Sequence, residues 1–172
     1  MIPKIKKILY ATDLSKNSAY AFRYALNSTK QHNAELVILH VMEAMNTTSR
    51  NLVMAYVEKE YFTEKDKEKI AYAKNRIEKR LKIFFDKALV EYPELSDTNI
   101  SIEICEGYPA EEILRKADEL NCDAIVMGTH GKGLLSQTFL GSVTKKVLRR
   151  TRKPVFIIPL PKEESDLTVH DI

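Results

Sequence analysis

Hydrophobic residues along the chain fall into short apolar runs that alternate with longer stretches of mixed character. Short runs that are rich in Val and Ile are typical of strands buried on both faces of a parallel sheet. Five such runs predict five strands, at residues 6–12, 35–41, 99–105, 124–128 and 155–159.

The stretches between these runs carry apolar residues at every third or fourth position, which is the spacing of an amphipathic helix. A first helix is predicted after Asp13 or Ser15, either of which could cap it. A long helix is predicted over about residues 58–91. Pro109 suits the first position of a third helix, because its fixed φ fits there and no N–H is lost.

The last helix is predicted over Ser142–Arg150, and Pro154 prevents it from continuing. Its apolar residues Val143, Val147 and Leu148 are expected to face the core. Strands that alternate with helices in this way predict an α/β fold, in which helices cover both faces of a parallel sheet. In such sheets a ligand binds beyond the carboxyl ends of the strands, so we expect the functional residues to lie there.

Composition narrows the class of protein. The 172 residues are 44% hydrophobic and 30% charged, which predicts one soluble domain over residues 1–160 and a polar, disordered tail at 161–172. Residues 43–75 are more than a connection from a strand to a helix needs. We expect them to form a variable insertion that either covers a site or docks a partner. A net charge of +3 is too small to favour nucleic acid or a membrane surface. No apolar run could span a bilayer, and a cytoplasmic location is expected.

Cysteine and histidine positions carry little evidence for chemistry. Cys105 and Cys122 each lie in or beside an apolar run, which predicts two buried thiols rather than a disulfide or a metal pair. No Cys/His cluster has zinc spacing, and no metal-ligating side chain is assigned. His40 lies between buried positions and is expected to be structural.

Glycine is concentrated after the fourth predicted strand. Gly128, Gly131 and Gly133 lie there, and Gly141-Ser142 opens the next helix. Glycine allows a close approach of the backbone to a phosphate, and a helix N-terminus adds N–H donors and positive potential. The same glycines could also serve only as turn corners. The pattern matches neither the Walker sequence nor the dinucleotide-binding fingerprint.

The spacing of Gly128-x-x-Gly131, nine further residues and Gly141-Ser142 resembles the ATP-binding signature of the universal stress protein family. Other segments resemble blocks of the same family in the family's order. Together they cover nearly all of residues 4–160, and only about 43–75 carry no distinctive block. These segments are KKILYATDLS, ILHV, EGYPAEEIL, DAIVMGTHGKG and GSVTKKVLRRTRKPVFIIP.

The resemblance implies a fold and a ligand. The fold is a three-layer, adenine nucleotide alpha hydrolase-like sandwich with strand order 3-2-1-4-5. The ligand is ATP, with a Mg²⁺ ion that bridges its phosphates. Asp13 would lie near the adenine or the ribose, and the backbone of Val41 would meet the adenine edge. The first turn of the last helix would hold the phosphates by its N–H groups and hydroxyls. The residues implied to line the site are Ala11, Thr12, Asp13, Val41, Met127, Gly128, Gly131, Gly141, Ser142, Val143 and Thr144.

The function that the resemblance implies is a nucleotide-dependent sensor or switch in the stress response. No carboxylate occurs between Gly128 and Arg150, so no base for rapid ATP hydrolysis is evident beside the phosphate loop. His130 is expected to lie at the surface or against phosphate. A slow ATPase or phosphotransfer protein, and an interaction module that needs no nucleotide, remain as alternatives.

The last predicted strand, from Val155 to Pro159, is short, apolar and uncharged. At the edge of a sheet such a strand invites pairing, and the resemblance implies a homodimer whose two copies pair antiparallel along it. The basic run at residues 145–153 complements a helix C-terminus and attracts nucleotide, so it does not favour nucleic acid. A protein partner is expected, but the sequence does not identify it.

Overall fold

The computed structural model describes residues 2–43, 64–93, 96, 98–129 and 140–161. Within them, neighbouring strands of one five-stranded sheet are parallel and follow the order β3-β2-β1-β4-β5. The expected strand order is therefore confirmed. The strands are β1 Lys7–Thr12, β2 Glu35–Glu43, β3 Ile100–Gly107, β4 Ala124–Gly128 and β5 Val155–Ile158.

Helices connect these strands in the order that the periodicity predicts. Ser15 is the N-cap of the first helix, because its side chain accepts a hydrogen bond from the Ser18 N–H at 3.2 Å. Asn33 ends that helix in the left-handed conformation, at φ 49°. Pro109 occupies the first turn of the third helix, as predicted. The helices are α1 Lys16–His32, α2 Glu64–Glu91, α3 Pro109–Glu119 and α4 Ser142–Arg150.

Helix α2 starts at Glu64 within the part of the chain that the structure describes, and it ends at Glu91, two residues before Pro93. None of the helices in the described ranges combines the length and the apolar character that a membrane crossing requires. Two predictions fall largely outside the described residues. Of the insertion at 43–75, residues 44–63 are not described, and of the tail at 161–172, only residue 161 is described.

The sheet is buried on both faces, because each strand contributes alternate residues to two separate cores. On one face α1 and α2 pack on the sheet, and the Phe22 ring lies 5.2 Å from Tyr10 and 4.9 Å from Phe84, measured between ring centroids. On the other face α3 and α4 pack on the sheet around Leu9 and Ile125, neither of which is exposed. This two-sided burial explains why the strands are nearly continuous apolar runs.

Two expectations about burial are wrong in part. Leu148 is 39% exposed, and Thr144 and Val147 face the sheet instead, because they are three residues apart on one side of α4. Cys122 is buried, but Cys105 is only half-buried, since it lies on the edge strand β3. Burial raises the pKa of both thiols to about 11, so both are protonated at neutral pH.

Candidate functional site

A cavity of about 590 Å³ opens at the carboxyl end of the sheet, where β1 lies between β2 and β4. The chain leaves β1 towards β2 and later returns to place β4 on its other side, so this is the point where the strand order reverses. Open parallel sheets place their ligand sites at such points. The helices α3 and α4 both begin at this edge, and their first residues form part of its wall.

Most of the residues predicted from the sequence are brought together in this cavity. Ten of the eleven line it, although they come from four separate segments of the chain. The eleventh, Gly131, lies outside the described residues, as do His130 and Gly133. The ten are Ala11, Thr12, Asp13, Val41, Met127, Gly128, Gly141, Ser142, Val143 and Thr144.

The loop after β1 holds Asp13 in a defined position at the cavity. Leu14 adopts a left-handed backbone, with φ 63°, which is costly for a branched apolar residue. Its N–H donates to Thr12 Oγ1 at 3.1 Å, and one Asp13 carboxylate oxygen accepts from the Ser15 N–H at 3.0 Å. These two local hydrogen bonds turn the chain sharply and place the Asp13 side chain at the cavity wall.

His40 supports the same loop from the opposite face of the sheet. Its Nδ1 lies 2.8 Å from the carbonyl oxygen of Thr12. A carbonyl can only accept, so Nδ1 carries the proton and donates it. The Thr12 hydroxyl in turn donates to Ser18 Oγ at 3.0 Å. His40 is 6% exposed, and this hydrogen bond gives it a structural role at the end of β1.

Gly128 ends β4 and lies directly against α1. A Cβ atom at this position would be 2.7 Å from Asn17 Nδ2 and 2.9 Å from its Cγ. Asn17 is buried and donates to Thr129 Oγ1 at 3.3 Å, so it has little room to move away. Glycine is therefore required here by the approach of α1, whatever the cavity binds.

The start of α4 presents backbone donors to the cavity. The N–H groups in the first turn of an α-helix have no acceptor within the helix. Most helices cap these donors with Ser, Thr, Asp or Asn, but the cap residue here is Gly141, which has no side chain to accept from them. The Gly141 N–H donates to Thr129 O at 2.8 Å, which anchors this end of the helix. The positive end of the helix dipole adds to the attraction for an anion.

Thr144 departs from its expected role in part. Its hydroxyl is buried and donates to Gly128 O at 3.1 Å, so the hydroxyl proton is used in a hydrogen bond to the end of β4. Thr144 still lines the cavity and can offer its main-chain N–H. The hydroxyl predicted to face a phosphate is therefore that of Ser142 alone.

Sequence reasoning missed several residues of the cavity wall. The alternation of β2 could have found Leu39 and Glu43, because both share a face with Val41. No sequence signal placed α3 here, since that depends on how the helix packs on the sheet. The missed residues are Ser18, Leu39, His40, Glu43, Pro109 and Ile113.

Comparison with known proteins places the chain in a family. The model of the universal stress protein family matches residues 4–159. The universal stress protein MJ0577 of Methanocaldococcus jannaschii is 32% identical over 89% of this chain and 94% of its own length. The solved structure of MJ0577 has a TM-score of 0.68, with 29% identity over 92% of this chain and 99% of that one.

Two further solved structures share the fold. Universal stress protein UspA from Lactobacillus plantarum has a TM-score of 0.64 and 25% identity, over 91% of this chain and 99% of that one. A universal stress protein in complex with cAMP has a TM-score of 0.56 and 20% identity, over 91% of this chain and 98% of that one. The fold, the family model and the relatives agree, and the chain belongs to the universal stress protein family.

Proposed function

We propose that this cavity binds ATP and that the protein acts as a nucleotide-dependent sensor or switch in the stress response. The observation that carries the proposal is the glycine-capped start of α4, which opens onto a cavity with both apolar and polar walls. A nucleotide needs such a site, with anion-binding donors at one end and apolar walls for the base at the other.

The phosphates would bind at α4. The main-chain N–H groups of Ser142, Val143 and Thr144 lie in its first turn, and the Ser142 hydroxyl is a further donor. Within the described ranges, no group of three His, Cys, Asp or Glu side chains could hold a metal ion. A Mg²⁺ ion would therefore be held through the phosphates, whose charge it would reduce.

The base would bind where β2 extends beyond β1. The Glu35 N–H donates to Lys6 O and the Leu36 N–H to Asn99 O, so odd-numbered residues of β2 direct their backbone groups towards β1. Val41 is one of them, and the last paired residue of β1 is Thr12.

The carbonyl of Val41 is left open by the turn after β1. If the pairing of β1 with β2 continued past Thr12, the Leu14 N–H would donate to the Val41 carbonyl. The Leu14 N–H donates to Thr12 Oγ1 instead. We infer that the Val41 carbonyl faces the cavity, which Val41 lines, and that it accepts there from the amino group of an adenine. The solved family member that holds cAMP is an instance of the same fold with an adenine nucleotide.

ATP binding is the first prediction. The purified protein should bind ATP at micromolar to millimolar concentration in calorimetry, and acid extraction of protein as purified should release adenine nucleotide. Steady-state release of ADP should be slow, because no carboxylate lies in the described part of the chain from 140 to 150, at the phosphate end. A protein that gives no heat of binding and no thermal shift with millimolar ATP would refute the proposal and favour an interaction module.

We also propose that the protein forms a homodimer along β5. This strand pairs with β4 on one side only, and the sheet order places it at the edge. Phe156 is 37% exposed, so an apolar side chain lies at an edge where no strand of the described residues pairs, and a second copy of the chain could pair there.

Phe156→Lys should convert the dimer to a monomer in light scattering coupled to gel filtration, since a second copy would bring two lysines together. Val90→Lys is the matched control, because Val90 is 82% exposed on α2 and far from β5 in the sheet. A dimer that persists in Phe156→Lys, or one that is lost equally in Val90→Lys, contradicts pairing along β5.

A further inference from the structure

Glu43 is the last residue of β2, and its side chain is on the cavity face of the sheet. Successive side chains of a strand point to opposite faces. Leu39 and Val41 pack in the core under α3 and α4, whereas Met42 packs in the core under α1 and α2. Glu43 therefore shares the face of Leu39 and Val41, and it lines the cavity.

The position of Glu43 along the cavity corresponds to the base of a nucleotide. Gly128 at the end of β4 lies beside the start of α4, and Thr144 bonds to it directly. From β4 the next strand is β1, which Asp13 follows, and the one after it is β2. Neighbouring strands are about 4.8 Å apart, and Glu43 lies three residues beyond His40, which is level with Gly128, so Glu43 is roughly 14 Å from Gly128, within the length of an extended ATP molecule.

The charges at the two ends of the cavity favour one orientation of the ligand. Asp13, directly after β1, and Glu43, at the end of β2, are carboxylates, and the N-terminus of α4 is positive at the other end. A ligand that placed its phosphates against the two carboxylates would be repelled, whereas the opposite orientation satisfies both ends. One oxygen of Asp13 already accepts from Ser15, at the level of the ribose. Glu43 is the carboxylate left to meet the base.

We propose that the Glu43 carboxylate is a specificity-determining group that accepts a hydrogen bond from the amino group of the base and favours 6-aminopurines over 6-oxopurines. This inference rests on the proposed function. An ionised carboxylate can only accept hydrogen bonds. The amino group of adenine donates, whereas the oxygen at the same position of hypoxanthine or guanine is an acceptor and would face a negative charge.

The test compares the affinities of wild-type protein and Glu43→Gln for ATP and ITP, which differ in the group at position 6 of the base and in the proton that the 6-oxo form carries on N1. The Gln amide can both accept and donate, so the variant should lose the part of the discrimination that Glu43 supplies, while the Val41 carbonyl can still accept from the amino group. A hydrogen bond to a charged group is worth enough for the ATP-to-ITP affinity ratio to fall about tenfold or more. Glu106→Gln is the matched control, since Glu106 is an exposed carboxylate near the end of β3 that does not line the cavity.

Each outcome has a distinct meaning. Wild-type protein that binds neither nucleotide overturns the proposed function and this inference with it. If wild-type protein binds ATP and Glu43→Gln keeps the wild-type ATP-to-ITP ratio, the proposed function stands and the role of Glu43 is overturned. A change in the ratio of ATP to dATP affinity, with an unchanged ATP-to-ITP ratio, would assign Glu43 to the ribose and also overturn base recognition.

Discussion

Gly141→Val is expected to weaken ATP binding by about a hundredfold or more, which corresponds to the loss of one or two hydrogen bonds to a charged phosphate. A valine side chain at the cap of α4 would occupy the space in front of the first-turn N–H groups. It would keep phosphate oxygens beyond hydrogen-bonding distance of Ser142 and Val143. The loss should appear in calorimetry as a weaker association constant for ATP.

The same substitution should leave the fold intact. Gly141 has φ −58° and ψ 159°, which is a backbone conformation that valine adopts without strain. The hydrogen bond from its N–H to Thr129 O also survives, since it involves only the backbone. The thermal unfolding midpoint should therefore stay within about 4 °C of wild type, equivalent to less than about 1 kcal/mol.

Leu140→Val is the matched control for Gly141→Val, because it adds a β-branched residue next to the cap at a position that does not line the cavity. Its ATP affinity should equal that of the wild type. If Gly141→Val binds ATP as tightly as Leu140→Val, the phosphates do not bind at α4. If Gly141→Val unfolds early, loss of binding would reflect loss of fold, and Gly141→Ala then provides the smaller test.

Gly128→Ala is expected to lower the free energy of unfolding by about 1–3 kcal/mol, the usual cost of adding a methyl group to a packed interior. The new Cβ would lie 2.7 Å from Asn17 Nδ2, so either the buried Asn17 side chain must move and lose its hydrogen bond to Thr129, or β4 must shift away from α1. Such a movement would also displace the carbonyl that Thr144 binds and so disturb the start of α4. Urea unfolding measures the first effect, and ATP affinity the second.

A double-mutant cycle with Asn17→Ala isolates this contact. Alone, Asn17→Ala should destabilise the protein, because it removes the donor to Thr129 Oγ1. In the Gly128→Ala background it should cost less or even stabilise, since it removes both atoms that clash with the new Cβ. Strictly additive losses would show that the two positions do not compete for space. Ala117→Gly, in the buried side of α3, is a control whose effect should add to that of Gly128→Ala.

The sequence predicts the elements of this fold well, because hydrophobic periodicity is a local property. Strand β4 and helix α4 have the predicted bounds, and the other strands differ by one or two residues. The largest differences are at the ends of β2 and β3, which continue two residues further than predicted because Met42 and Glu43 pair with Glu106 and Gly107. That pairing joins residues far apart in the chain, so no local pattern could reveal it. The strand order came from the family resemblance and not from periodicity.

The sequence by itself determined the alternation of strands and helices, the glycine-rich approach to α4 and the family to which these segments belong. Only the tertiary structure decided that Asn17 packs against Gly128, that the Leu14 N–H donates to Thr12 Oγ1, and that Glu43 lines the same cavity as Gly141. The physical reason is the distance along the chain over which each effect acts. Periodicity and capping act over a few neighbouring residues, whereas a cavity is made by side chains and backbone groups that only the packing of distant segments brings within contact.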